Sequence, residues 1–126
     1  MTRILLVDDD PLMTKITCRT LTRAGFEVEV SNRAFGVLNL VASGRPDILV
    51  IDMNMPGLRG IEVLELLRAD EGLADTTVVF YSGIEEHELR ELVSSSGADG
   101  FVHKSADPVD LIRLLRRVPL RTSKAV

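Results

Sequence analysis

Asp52 ends an apolar run, Asp47-Ile48-Leu49-Val50-Ile51, and is followed at once by Met53-Asn54-Met55-Pro56-Gly57. A carboxylate in that place has two readings. It caps the helix that follows the turn, or it reacts. The same pattern recurs along the chain. Asp8 and Asp9 follow Ile4-Leu5-Leu6-Val7, Ser82 follows the β-branched and aromatic run from Thr76 to Tyr81, and Lys104 follows Phe101-Val102-His103. Carboxylates brought together repel and require a counter-charge. A hard divalent ion with oxygen ligands suits them, and Mg²⁺ tolerates an open site that keeps several waters. Lys104 supplies a second, fixed positive charge. Such a set could hold a phosphoryl group and neutralise its oxygens, with Ser82 donating a hydrogen bond. Aspartate can itself be the nucleophile and form an acyl phosphate, and Asp52 is the central candidate.

Each of these residues alone has a plainer reading. Asp8 and Asp9 would be solvated turn acids, Ser82 a turn residue and Lys104 a surface charge. Asp10 reads as a helix cap with Pro11 at the first helical position. Met53 and Met55 read as packing residues, and Gly57 and Gly60 as turn and helix-entry residues. His87 reads as solvent-facing, and His103, alternating with Lys104, as pointing away from it. Arg113, Arg116 and Arg117 read as a solvated helix face.

The elements that must position these residues alternate in type. Strands are expected at Ile4 to Val7, Phe26 to Val30, Ile48 to Ile51, Thr76 to Tyr81 and Phe101-Val102. Ile48 to Ile51 shows no polar alternation, as suits a strand covered on both faces. Between them fall helical patterns. The first buries Met13, Ile16, Thr17, Thr20, Leu21 and Ala24. The second uses Ala34, Val37, Leu38 and Val41, and the third Ile61, Leu64, Glu65 and Arg68 with Val63, Leu66 and Leu67. The fourth uses Leu89, Leu92 and Val93 up to Gly97, and the last opens at Asp107-Pro108. Alternation of this kind implies a parallel sheet with helices on both faces, and ligands then bind beyond the carboxyl ends of the strands.

The chain has 126 residues and a formal net charge of -4. That length suits one domain, and the charge argues against nucleic acid as a direct partner. The lone cysteine, Cys18, permits no internal disulfide and reads as a small core residue in a reducing compartment. No apolar stretch approaches a membrane span, and the start is too short for a signal sequence. The expectation is a cytoplasmic protein.

"ILLVDDD", "VIDMNMPGLRG", "VVFYSG" and "FVHKS", in this order, make the chain resemble the receiver domains of two-component response regulators, chemotaxis-regulator-like. The resemblance implies a flavodoxin-like (βα)5 three-layer sandwich with parallel strand order 2-1-3-4-5. It implies a receiver domain over residues 1–118, with 119–126 a tail or the start of a linker. Asp52 then matches the phosphorylated aspartate. Asp8 and Asp9 match the acidic pair that holds Mg²⁺, for which Mn²⁺ could substitute, with Asp9 the direct ligand and Asn54 contributing its backbone carbonyl. Ser82 and Lys104 match the groups that contact the phosphoryl oxygens, and Phe101 the aromatic that switches with Ser82. The implied donor is the phosphohistidine of a sensor histidine kinase or a histidine phosphotransfer protein. The implied output, to an unspecified protein, domain or second copy of the chain, is the surface of helix 4, strand 5 and helix 5. The activity implied is limited to Mg²⁺-dependent self-phosphorylation and autodephosphorylation.

Two departures stand out. Ser105 replaces the proline that usually follows the lysine, and Phe101 lacks the hydroxyl of a tyrosine. Three competing functions fit the residues less well. A phosphatase of the haloacid dehalogenase type needs an acid where Asn54 stands. A flavodoxin needs a Ser/Thr-rich phosphate loop where Asp8-Asp9-Asp10 stands. A receiver that only docks partners is at odds with the full set of key side chains.

Overall fold

The computed structural model describes residues 1–57 and 59–121. Leu58, inside the Asp52 motif, and residues 122–126 of the expected tail lie outside the described residues. The strands are β1 (Arg3–Val7), β2 (Glu27–Ser31), β3 (Ile48–Ile51), β4 (Thr77–Ser82) and β5 (Gly100–His103). The helices are α1 (Pro11–Arg23), α2 (Val37–Gly44), α3 (Gly60–Ala69), α4 (Glu86–Ser96) and α5 (Pro108–Arg117). The strands form one parallel sheet in the order β2-β1-β3-β4-β5, the flavodoxin-like order. Register carries Val7 opposite Ile51, Ile51 opposite Phe80, and Ser82 opposite His103. The strand ends are therefore aligned at one edge.

Strand side chains alternate between two cores. Leu5, Val7, Leu49, Ile51, Val78 and Phe80 pack with Val37, Val41, Val63, Leu64, Leu67 and Leu89, the inner residues of α2, α3 and α4. Ile4, Leu6, Ile48, Val50, Val79 and Tyr81 pack with Leu21, Leu111 and Leu115 of α1 and α5. Two covered faces explain why β1, β3 and β4 lack polar alternation. Helix ends follow local chemistry. Asp10 Oδ1 accepts from the N–H groups of Leu12 and Met13, Asp107 Oδ1 accepts from that of Val109, and Gly97 closes α4 with a φ of 83°.

α1 corrects the expected buried face. Thr14, Thr17 and Leu21 are buried and Cys18 packs against the core, whereas Ile16 is 53% exposed. The stripe is turned because Thr14 has polar partners inside: its hydroxyl donates toward the Asp10 and Pro11 carbonyls and accepts from Asn32 Nδ2. Leu66 of α3, also expected on the apolar side, is 47% exposed. α2 begins at Val37, after a turn through Gly36 with a φ of 88°, so Ala34 is buried ahead of the helix and not on it. Among the described residues no helix is long and apolar enough to cross a membrane.

Candidate functional site

Asp52 is the residue after β3, and its N–H donates to the Val7 carbonyl at 3.0 Å, continuing the sheet ladder. Its side chain is almost buried. It does not cap α3: the N-cap is Arg59, seven positions on. Its Oδ2 instead accepts from Lys104 Nζ at 2.9 Å, and its Oδ1 accepts from the Asn54 N–H at 3.3 Å. The capping reading is therefore excluded, and a buried carboxylate is left aimed at a lysine just past the end of another strand.

Asp8, the residue after β1, is also buried. Its Oδ1 accepts from the Asp10 N–H at 3.0 Å, and its Oδ2 lies 2.6 Å from Lys104 Nζ. Asp9 faces solvent. Oxygens of Asp8, Asp9 and Asp52 converge to within 4.8 Å of one another. Three acids against one ammonium leave the site two charges negative, by simple count. Burial alone would lower the pKa of Lys104, but hydrogen bonds and charge from Asp8 and Asp52 outweigh it, and the net shift is upward.

Close backbone packing makes room for this. A Cβ on Gly60 would lie 2.7 Å from the Asp52 carbonyl oxygen and 2.9 Å from the Phe80 ring, so only glycine lets α3 start this near the Asp52 turn. The Gly60 N–H donates to the Met53 carbonyl at 2.9 Å. Met53 and Met55 are buried packing residues, and Asn54 is exposed beside the acids. Ser82 is the last residue of β4 and is buried, with its Oγ accepting from the Ile84 N–H at 3.4 Å. The Lys104 N–H donates to the Ser82 carbonyl at 2.9 Å, which places the lysine one step past β5. Phe101 is partly buried against the α2–α3–α4 core, and the Arg90 guanidinium carbon sits 5.9 Å from its ring centre.

The response regulator receiver domain family matches residues 4–116. The chain belongs to that family. Its sequence is 34% identical over 114 residues to the DNA-binding response regulator MtrA of Mycolicibacterium smegmatis, covering 90% of this chain and 49% of MtrA. It is 28% identical over 124 residues to the DNA-binding dual master transcriptional regulator RpaA of Synechocystis, covering 98% of this chain and 52% of RpaA. The chain thus spans about half the length of these curated relatives. Among solved structures, the chemotaxis response regulator CheY4 of Vibrio cholerae superposes with a TM-score of 0.84 at 28% identity, covering 94% of this chain and 99% of that one. Receiver domains of response regulators act in two-component signalling, with histidine kinases as partners.

In this receiver domain the expected acids and the lysine meet, and His87 is exposed, paired with Glu91 at 3.1 Å. One contributor escaped the sequence reading. Asn32, just past β2, donates from Nδ2 to the Asp8 carbonyl at 2.9 Å and to Thr14 Oγ1 at 3.0 Å, pinning the acidic turn to α1. Its position past a strand end was the available signal. The peptide between Lys104 and Ser105 is trans.

Proposed function

We propose that this receiver domain accepts a phosphoryl group on Asp52 from the phosphohistidine of a sensor histidine kinase or histidine phosphotransfer protein, in the cytoplasm. A carboxylate oxygen of Asp52 attacks phosphorus, the phosphorus–nitrogen bond breaks, and the donor imidazole leaves. The product is an acyl phosphate on Asp52. The convergence of the Asp8, Asp9 and Asp52 oxygens, with Lys104 on Asp8 and Asp52, carries this reading.

An all-oxygen donor set with one solvent-facing acid fits Mg²⁺, with Mn²⁺ as a substitute. Asp8, Asp9, Asp52 and the Asn54 carbonyl would hold it, with Asp9 a direct ligand. When bound, the ion supplies positive charge to the transferring oxygens. Lys104, already at Asp52, supplies the rest by turning to a phosphoryl oxygen. Ser82 donates its hydroxyl to another oxygen, and Phe101 fills the space that its loop vacates. The altered α4–β5–α5 face is then read by an output protein, an output domain or a second copy of the chain.

The test is intact mass after incubation with acetyl phosphate and Mg²⁺. One phosphoryl group should be gained and then lost in base. Asp52→Asn should gain none. An Asp52→Asn protein that labels as wild type does would sink the assignment.

A further inference from the structure

The turn that follows Lys104 is held by a side chain on its far side. The Ala106 N–H donates to the His103 carbonyl at 2.9 Å, closing a four-residue turn from His103 to Ala106. Within it, the Ser105 N–H lies 3.0 Å from His103 Nδ1, and Ser105 Oγ lies 2.6 Å from the same nitrogen. A backbone N–H can only donate. His103 Nδ1 must therefore carry its lone pair, and the ring proton belongs on Nε2. The imidazole acts here as the side-chain oxygen does in an Asx turn. A proline after Lys104 would have no N–H for this bond, so the bond depends on Ser105 being where proline is usual.

Lys104 is the residue inside that turn. Its own N–H is tied to Ser82, and its ammonium spans Asp8 and Asp52. His103 lies on the other side of β5, in a groove with Glu86, Phe101, Asp110, Arg113 and Arg117. We propose that His103 is a positioning residue for Lys104, its neutral ring holding the Ser105 N–H so that the lysine stays set toward Asp52. The proposal rests on the phosphoacceptor reading of Asp52. Adding a proton at Nδ1 sets two N–H groups against each other and releases the hydrogen bond from the Ser105 N–H. Only the contact with Ser105 Oγ survives, now with the imidazole donating. The groups facing the ring are of mixed sign: Glu86, Asp110, Arg113 and Arg117 in the groove, with Glu85 close enough to feel the ring's charge. A partner that turns His103 within the groove would loosen Lys104 in the same way, and by reciprocity a set Lys104 favours the His103 position seen here.

The test combines nitrogen NMR with labelling. In wild type near pH 8, long-range imidazole spectra should show His103 protonated at Nε2 and bare at Nδ1; a proton on Nδ1 overturns the proposal. His103→Ala should move the Ser105 amide and the Lys104 side-chain resonances. His103→Asn, which keeps an acceptor in place, should restore them, and an unmoved Ser105 amide in His103→Ala overturns the proposal. His103→Ala should label with acetyl phosphate about three- to tenfold more slowly than His103→Asn. Equal labelling rates in His103→Ala and His103→Asn overturn the role. If wild type takes no label at all, the acceptor assignment of Asp52 falls, while the NMR arms still decide whether His103 holds Lys104.

Discussion

Both ends of the sheet gather charge, and they resolve it differently. At the amino-terminal end, Asp99 Oδ2 accepts from Arg68 Nη2 at 3.1 Å and from the Val78 N–H at 2.8 Å, while Oδ1 accepts from Arg121 Nε at 2.8 Å. Arg68 Nη1 donates to the carbonyls of Ala74 and Thr76. Thr77 Oγ1 donates to the Pro119 carbonyl and accepts from the Arg121 N–H, fixing the chain after α5 to the sheet. There every oxygen of the acid has a partner, and with Asp75 near enough to act on Arg68 the two guanidiniums are matched by two acids. At the carboxyl-terminal end, Asp8 and Asp52 share one lysine, and the oxygens of Asp9 lie close to theirs. Buried charge by itself does not mark a working site, because both ends have it. Charge left over after the internal pairs are made marks a place where something from outside binds.

Exchanging an acid for its amide should separate the two ends most sharply. Asp52→Asn is expected to abolish phosphoryl labelling while leaving stability in urea equal to wild type or higher, since it removes one of three mutually repelling acids. Asp99→Asn should do the reverse. It leaves Arg68 and Arg121 facing a neutral amide in a partly buried site, at a cost of about 2–4 kcal/mol, with labelling retained in the folded fraction. Equal destabilisation by the two changes would erase the contrast.

Mg²⁺ gives the next effect in size. It should raise the melting temperature of wild type, by about 1.4 kcal/mol of stability at tenfold the dissociation constant. Asp9→Ala should lose most of that gain, although Asp9 is exposed and contributes little to the fold itself. A melting temperature indifferent to millimolar Mg²⁺ and Mn²⁺ would count against the metal site and leave the amino-terminal cluster unaffected.

How much of this was legible in the sequence depended on range. Caps such as Asp10, Asp107 and Gly97 are local, and their residue types suffice. β3 was read with its observed ends, because a strand covered on both faces is a run with no polar interruption. Asp8, Asp52 and Lys104 were legible as a set because parallel strands in register put their ends side by side. What failed was set by distant partners. Thr14 is buried because Asn32, 18 positions on, satisfies it, and that turned the inner face of α1. Arg68 looked like one more helix-face residue until the fold brought Asp99, 31 positions away, against it. Periodicity carries no information about such pairs.

The smallest expected effect is the alkaline behaviour of the carboxyl-terminal site. Lys104 has its pKa raised above the ordinary 10.5, because Asp8 and Asp52 outweigh burial. A cation with a raised folded-state pKa stabilises the fold fully below its unfolded value and loses that contribution as pH rises through the folded value. Tyr81, beside Lys104, complicates the window. Burial, its largest influence, raises the phenol above 10.0, and the nearby ammonium only partly offsets this. Its contribution also fades as pH rises, because the fold disfavours the phenolate. Wild type should therefore lose stability above about pH 10 from both groups. Comparison with Lys104→Met isolates the lysine. The difference in urea midpoint between wild type and Lys104→Met should be constant up to about pH 10 and shrink above it. In a Tyr81→Phe background the same shrinkage should persist. If it vanishes there, the alkaline loss belongs to the phenol alone, and Lys104 does not hold the two acids together in the way its distances indicate.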